Sequence, residues 1–171
     1  MRTVAVVAGL CAVLAVAGCS KSQSGQPQAA ATTTLSEAQL WDPCSLPDSA
    51  VAATGVDPST KDTNPTEVAQ PGWRSCRWRT TGYFMTVNST SHTMDEVRNN
   101  SSLSNIKGVD VPGRQAVSYN DGSSDDCGVD FPTSKGLVEV IVRKAYGTAA
   151  TEDSCVIAVR SATTLNQSIP Q

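Results

Sequence analysis

The chain has 171 residues and a formal net charge of −3, from 13 Lys and Arg against 16 Asp and Glu. This length is typical of a single domain. Mild acidity without a basic cluster argues against a nucleic-acid-binding protein, and also against electrostatic attachment to anionic lipid headgroups.

The N-terminus has the three-part layout of a secretory signal peptide. Arg2 supplies the positive charge, the apolar run Val4–Val16 follows, and small residues precede Cys19. Val16-Ala17-Gly18-Cys19 resembles the lipobox of bacterial lipoproteins, in which the signal is cut before an acylated cysteine. We therefore predict removal of residues 1–18, lipidation of Cys19, and a lipid-anchored protein on the extracytoplasmic face of the cell membrane. The alternative is an ordinary signal peptide with a chance cysteine.

The segment after Cys19 is rich in Ser, Gln, Ala and Thr and has almost no bulky apolar residue. Such a segment cannot bury enough surface to offset the entropy lost on ordering. We predict a flexible tether over residues 19–40 and a single globular domain over residues 41–171.

Four cysteines remain in the predicted domain: Cys44, Cys76, Cys127 and Cys155. An even number in an exported chain indicates disulfides, and three pairings are possible. We favour Cys44 with Cys76 and Cys127 with Cys155, because each would join a terminal helix to a strand and close a loop of about thirty residues. The absence of C-x-x-C spacing and the single histidine argue against a zinc site.

The predicted domain begins with a helix over residues 46–54. Ser45 would cap this helix, Pro47 would lie in its first turn, and Gly55 would end it. Leu46, Ala50, Val51 and Ala53 would form its apolar face. Residues 56–72 contain three prolines and are predicted to be a loop.

Residues 73–91 have the pattern of a β-hairpin. Cys76 and Trp78 alternate with Arg77 and Arg79, so the cysteine and the tryptophan should face the core. Thr93 and Glu96 have the spacing of a capping box that would open a short helix.

Alternating apolar residues predict four more strands, and an apolar helical face predicts a final helix capped by Asp153 or Ser154. The fold class is therefore α+β, with a mostly antiparallel sheet flanked by N- and C-terminal helices and stapled by disulfides. The predicted strands lie near residues 106–111, 115–119, 127–131 and 137–143, and the helical face contains Cys155, Ala158, Val159, Ala162 and Leu165.

Few residues suggest a binding or catalytic site. Arg77 and Arg79 share a strand face and could clamp a carboxylate or phosphate, although ordinary cross-strand ion pairs are the alternative. His92 is the only imidazole, and no G-x-S-x-G motif accompanies it. No glycine-rich phosphate loop follows a strand before a helix, so we predict no nucleotide or other cofactor. We also predict no metal, because neither zinc-ligand nor calcium-loop spacing is present. A group of acidic residues lacks EF-hand spacing and is interpreted as a solvated hairpin loop: Asp121, Asp125, Asp126 and Asp130.

Several motifs together resemble the actinobacterial lipoprotein family called domain of unknown function 3558, over residues 41–170. They are Asp42-Pro43-Cys44, Cys76-Arg77-Trp78, Gly113-Arg114 with Ala116-Val117, Cys127 and Cys155. The resemblance implies an envelope lipoprotein of Gram-positive bacteria with a mycolate-type or related wall, and it implies no particular reaction. The fold would be similar to the PsbP/Mog1-like α/β sandwich.

We expect a non-enzymatic binding module for an envelope protein, lipid or glycan. One alternative is an accessory subunit of an envelope assembly, which predicts a flat partner surface rather than a pocket. Another is a cell-wall hydrolase, which predicts a cleft holding His92 or paired carboxylates with shifted pKa values.

Overall fold

The computed structural model describes residues 35–68, 70–147 and 152–171. The predicted signal peptide, Cys19 and most of the predicted tether lie outside these residues. The described part of the chain folds around one seven-stranded antiparallel sheet with the strand order β1-β2-β3-β7-β6-β5-β4. The strands are β1 (Asp57–Asp62), β2 (Trp73–Arg79), β3 (Tyr83–Thr90), β4 (Leu103–Val111), β5 (Arg114–Asp121), β6 (Asp126–Thr133) and β7 (Gly136–Lys144).

Within the described residues, three α-helices accompany the sheet: α1 (Asp48–Ala53), α2 (Met94–Arg98) and α3 (Ser154–Leu165). This arrangement confirms the predicted α+β class with helices near both ends of the domain. Among the described residues, no helix has the length and apolar character needed to cross a membrane.

The main core lies between α3 and one face of the sheet. Alternate residues of β7, such as Val138 and Val140, point to this face and pack with Ile157 and Leu165 of α3. Trp78 is fully buried in the same core, as predicted. Because strand side chains alternate between faces, the intervening residues of the same strands point to the opposite face.

Both predicted disulfides are confirmed. Cys44 bonds Cys76, and Cys127 bonds Cys155, with Cα–Cα distances of 5.2 and 5.0 Å. Cys44 lies in the 3₁₀ turn Pro43–Ser45 before α1, and Cys155 lies in the first turn of α3. Each bond therefore ties a flanking segment to a strand inside the sheet, β2 or β6.

The first helix is shorter than predicted. Pro47 is its N-cap residue, so Ser45 does not cap it, and the helix begins at Asp48. Ala53 is exposed rather than apolar-facing, because only about one and a half turns form.

Two features of the predicted tether also differ, since Glu37–Gln39 forms a 3₁₀ turn and Leu40 is buried.

The predicted loop over residues 56–72 was wrong in its first part. Asp57–Asp62 forms the edge strand β1, which pairs with β2 through an irregular register. Its sequence is polar and contains Pro58, which an edge strand tolerates because one side of the strand has no ladder partner. Strand β4 also begins earlier than predicted, at Leu103.

Candidate functional site

A cleft of about 920 Å³ lies on the sheet face opposite α3. This volume falls in the range of about 300–1,000 Å³ that is typical of ligand pockets. Its floor is made of the side chains of β2, β3, β5, β6 and β7 that point away from α3. Its walls include α2 with its flanking residues, and Pro65, Thr66 and Gln70 from the segment between β1 and β2.

One wall is held in place by the short helix α2. The predicted capping box is confirmed, because the Glu96 amide donates to the Thr93 hydroxyl at 3.3 Å and the Thr93 amide donates to the Glu96 carboxylate at 2.6 Å. Behind it, Val97 packs with Val117 and Leu137 in a small second apolar cluster. These contacts fix α2 over the β5–β6–β7 part of the sheet.

Two carboxyl groups lie at the centre of the cleft floor. Asp130 on β6 and Glu139 on β7 are direct cross-strand partners, so their side chains lie side by side on one face. Asp130 is 2% exposed and Glu139 is 9% exposed. Burial of two acids in contact is costly unless protons or hydrogen bonds reduce their charge.

Tyr119 bridges this pair. Its hydroxyl lies 3.1 Å from Oδ1 of Asp130 and also contacts Oε1 of Glu139, while the Asn88 amide donates to Oε2 of Glu139. A phenol has one hydrogen and can donate to only one carboxylate. We assign that hydrogen to the Glu139 contact, and the contact to Asp130 is then a hydrogen bond only when the Asp130 carboxyl carries a proton.

The directions of the pKa shifts agree with a proton on Asp130. Burial, and then the nearby Glu139 charge, raise the pKa of Asp130 well above its usual value. Burial also raises the pKa of Glu139, against the opposing effect of hydrogen bonds from Tyr119 and Asn88. The pKa of Tyr119 rises as well, first through burial and then through the two carboxyl neighbours. The raised pKa values of all three groups favour their neutral forms, so the floor holds at least one proton on the acid pair.

Gly128 makes room for the Tyr119 ring. A Cβ atom at position 128 would lie 2.4 Å from Cζ of Tyr119, which is much closer than a non-bonded contact allows. Tyr119 and Gly128 are cross-strand partners on β5 and β6. The phenol can lie flat against β6, and so reach the acid pair, because residue 128 has no side chain.

The cations at the cleft are already paired. Arg77 contacts Asp62 on β1 at 2.6 Å, and Arg143 contacts Asp126 at 2.9 Å. His92 lies 3.4 Å from Glu96 and packs against the Trp73 ring, with ring centroids 5.3 Å apart.

The family comparison agrees with the resemblance found in the sequence. A family model described as Protein of unknown function (DUF3558) matches residues 14–168. The chain belongs to this family. No curated protein and no solved structure matches the chain.

The structure brings some of the predicted site residues of this DUF3558 protein to the cleft. Arg77 lines the cleft, and its pairing with Asp62 is the cross-strand alternative considered above. Arg79 is exposed and lies outside the cleft lining, and the clamp formed by the two arginines stays a prediction. His92 lines the cleft wall. Cys19 lies outside the described residues.

The interpretation of the acidic group as a solvated loop was wrong for Asp130. This residue faces the cleft floor from within β6, whereas Asp125 contacts Lys144 at 3.6 Å and Asp126 contacts Arg143. Among residues 35–68, 70–147 and 152–171, no group of three or more His, Cys, Asp or Glu side chains is arranged to hold a metal ion.

Sequence reasoning missed the site of this DUF3558 protein because it depends on strand register. Asp130, Glu139, Tyr119 and Asn88 come from four strands and are far apart in the chain. One signal was present: Glu139 interrupts the strongly β-prone run Leu137–Arg143, and a charged residue at such a position needs a partner.

Proposed function

We propose that this DUF3558 protein is a non-enzymatic binding module, anchored by lipid to the extracytoplasmic face of the cell membrane, that binds an envelope component in the cleft. The cleft is the single observation that carries this proposal. It combines apolar side chains such as Trp73, Phe84 and Ile141 with a small polar network at its centre. Apolar walls with a few fixed polar groups are typical of small-molecule sites.

The proposed location is supported by cysteine chemistry. Two disulfides in one domain are typical of proteins that mature outside the reducing cytosol. The lipobox-like Val16–Cys19 segment adds the proposed acylation site, and the motifs shared with actinobacterial envelope lipoproteins add the proposed origin. The predicted tether would then give the domain reach from the bilayer.

The cleft also favours a ligand over a flat protein contact. A volume of about 920 Å³ accommodates a small molecule, or one end of a lipid or glycan. An accessory subunit of an envelope assembly predicts a flat partner surface, and no observation of this fold favours it.

Native mass spectrometry on protein purified from an exporting actinobacterial host tests the proposal. Thr86 lies half-buried on the cleft floor, so Thr86→Trp would fill part of the cleft. Ser104→Trp on the exposed edge strand β4 is the matched control. We expect a non-covalent mass on the wild type and on Ser104→Trp that is lost from Thr86→Trp. Bare masses for all three proteins, or equal occupancy in all three, would contradict binding in the cleft.

A hydrolase is the second candidate, because the cleft holds the paired carboxylates that this function predicts. The geometry favours binding, since both carboxyl groups are already engaged by hydrogen bonds with Tyr119 and Asn88. Release of soluble fragments from purified cell wall by the wild type, abolished in Glu139→Gln, would favour the hydrolase instead.

A further inference from the structure

The arginines and the acids that line the cleft differ in whether they are already paired with an opposite charge. The guanidinium groups of Arg77 and Arg143 each contact a carboxylate that lies outside the cleft lining, Asp62 and Asp126. An anionic ligand would have to compete with these partners. The cleft therefore offers little uncompensated positive charge.

The acidic groups of the cleft floor, in contrast, lack a partner of opposite charge. Asp130 and Glu139 have no cationic partner among the ion pairs of the described residues. Their contacts are the neutral Tyr119 hydroxyl and the neutral Asn88 amide. In the unliganded protein, the proton that we assign to Asp130 neutralises this acid in place of a cation.

Other charged groups reinforce this pattern. The titratable and charged groups that line the same cleft are Tyr119 and Asp121 on β5, His92 and Glu96 at α2, Arg77 on β2 and Arg143 on β7. His92 is turned toward Glu96, and Asp121 adds a further carboxylate at the rim. The aromatic rings of Trp73 and Phe84 line the cleft as well, but the Phe84 face already holds the Arg77 guanidinium and the Trp73 ring packs against His92.

We infer that the cleft takes an organic cation, whose primary ammonium group replaces the proton held at the Asp130–Glu139 pair. This inference rests on the proposed binding function and adds the chemical class of the ligand. On binding, the ammonium group donates hydrogen bonds to the two carboxylates, and the Asp130 proton leaves to solvent. No covalent bond forms or breaks apart from that O–H bond.

Three matched probes test the inference: n-butylammonium, 1-butanol and butyrate. They have similar size and carry positive, zero and negative charge. Backbone amide NMR shifts of the full-length protein in mild detergent, with its disulfides formed, give each affinity. We expect n-butylammonium to bind at least about tenfold more tightly than 1-butanol, with shifts in β5, β6 and β7, and butyrate to bind most weakly.

Proton exchange makes a second, variant-free prediction. The affinity of n-butylammonium should rise with pH, by up to about tenfold per pH unit, as long as the free protein holds the Asp130 proton, while that of 1-butanol stays constant. Glu139→Gln should bring the ammonium and alcohol affinities together. Asp110→Asn removes an exposed carboxylate on β4, outside the cleft lining, and should keep the preference. If Glu139→Gln does not fold, the pH series on the wild type decides.

The outcomes separate the two proposals. Equal binding of alcohol and ammonium, or strongest binding of butyrate, would overturn the cation inference while leaving the cleft as a binding site. Absence of cleft shifts with all three probes would overturn both.

Discussion

At the scale of single residues, the main feature is an acid pair built into the middle of a sheet. Asp130 and Glu139 lie opposite each other on β6 and β7, where apolar or hydroxyl-bearing pairs would be the stable choice. The pair is tolerated because Tyr119 and Asn88 contact it and because one carboxyl holds a proton. Gly128 is also needed, since any side chain at position 128 would displace the Tyr119 ring from the acid pair.

The protonated Asp130 gives the fold a characteristic pH dependence. Burial holds the pKa of Asp130 well above the unfolded value of 3.8. Such a group stabilises the fold fully below its unfolded pKa, and this stabilisation is lost as the pH rises toward its folded pKa. Asparagine has the same shape as the protonated acid, keeps a hydrogen-bond donor and does not ionise.

We therefore expect the free energy of unfolding of the wild type to fall relative to that of Asp130→Asn above about pH 4, by up to about 1.4 kcal/mol per pH unit. Urea denaturation at a series of pH values measures this difference. Asp110→Asn, at an exposed position on β4, should follow the wild type. Parallel curves for the wild type and Asp130→Asn would show that Asp130 is ionised in the folded protein.

At the scale of elements, Arg114 joins the start of β5 to the C-terminal residues. Its guanidinium donates to the Asn166 side chain at 2.8 Å and to the main-chain oxygens of Asn166, Ile169 and Pro170. It also lies over the Phe131 ring, 5.0 Å from the centroid. The chain after α3 is thereby fixed against the end of the sheet.

Arg114→Ala should lower the free energy of unfolding by about 2 kcal/mol, because the carbonyl groups at the C-terminus lose a charged donor. Arg98→Ala is the matched control, since Arg98 is exposed on α2 and makes only a 3.7 Å contact with Asp95. Chemical denaturation of both variants measures the difference. A similar small loss in both would mean that the C-terminal residues are not held by Arg114.

The elements that sequence predicted well are those with a local signal. The hairpin of β2 and β3 has alternating residues, α2 has a capping box, and α3 has a continuous apolar face after Asp153. β1 lacks such a signal, because Asp57–Asp62 is polar and contains a proline. Its strand conformation comes from pairing with β2, where Asp62 lies opposite Arg77.

The candidate site was predictable only in part for a related reason. His92 and Arg77 were noted individually, but nothing local shows that Asp130 will lie beside Glu139. That contact is set by the register of β6 against β7, and the position of Tyr119 is set by a glycine on the neighbouring strand. Cross-strand register is a property of the assembled sheet.

At the scale of the whole molecule, the two faces of the sheet have different roles. One face is closed by α3 and holds the main core, which both disulfides support. The other face is only partly covered by α2 and contains the cleft. A stable, stapled core thus supports an open site on the opposite face, as expected of a binding module.

The proposed lipid anchor is tested independently of the cleft. We expect Cys19→Ala to move the protein out of the membrane fraction and to abolish palmitate labelling, because the acylated thiol is absent. Cys11→Ala, which alters the other N-terminal cysteine inside the predicted signal peptide, should leave both unchanged. Equal membrane association of both variants would contradict lipid anchoring through Cys19.

The proposed cation preference and the expected pH-dependent stability both depend on a proton held between Asp130, Tyr119 and Glu139. Carbon-13 NMR of the side-chain carboxyl groups across pH tests this claim most directly. We predict that Asp130 stays protonated well above pH 3.8, the ordinary pKa of an Asp side chain, because burial and the Glu139 charge raise its pKa. Ionisation of both Asp130 and Glu139 near the ordinary pKa values of their side chains would contradict the account.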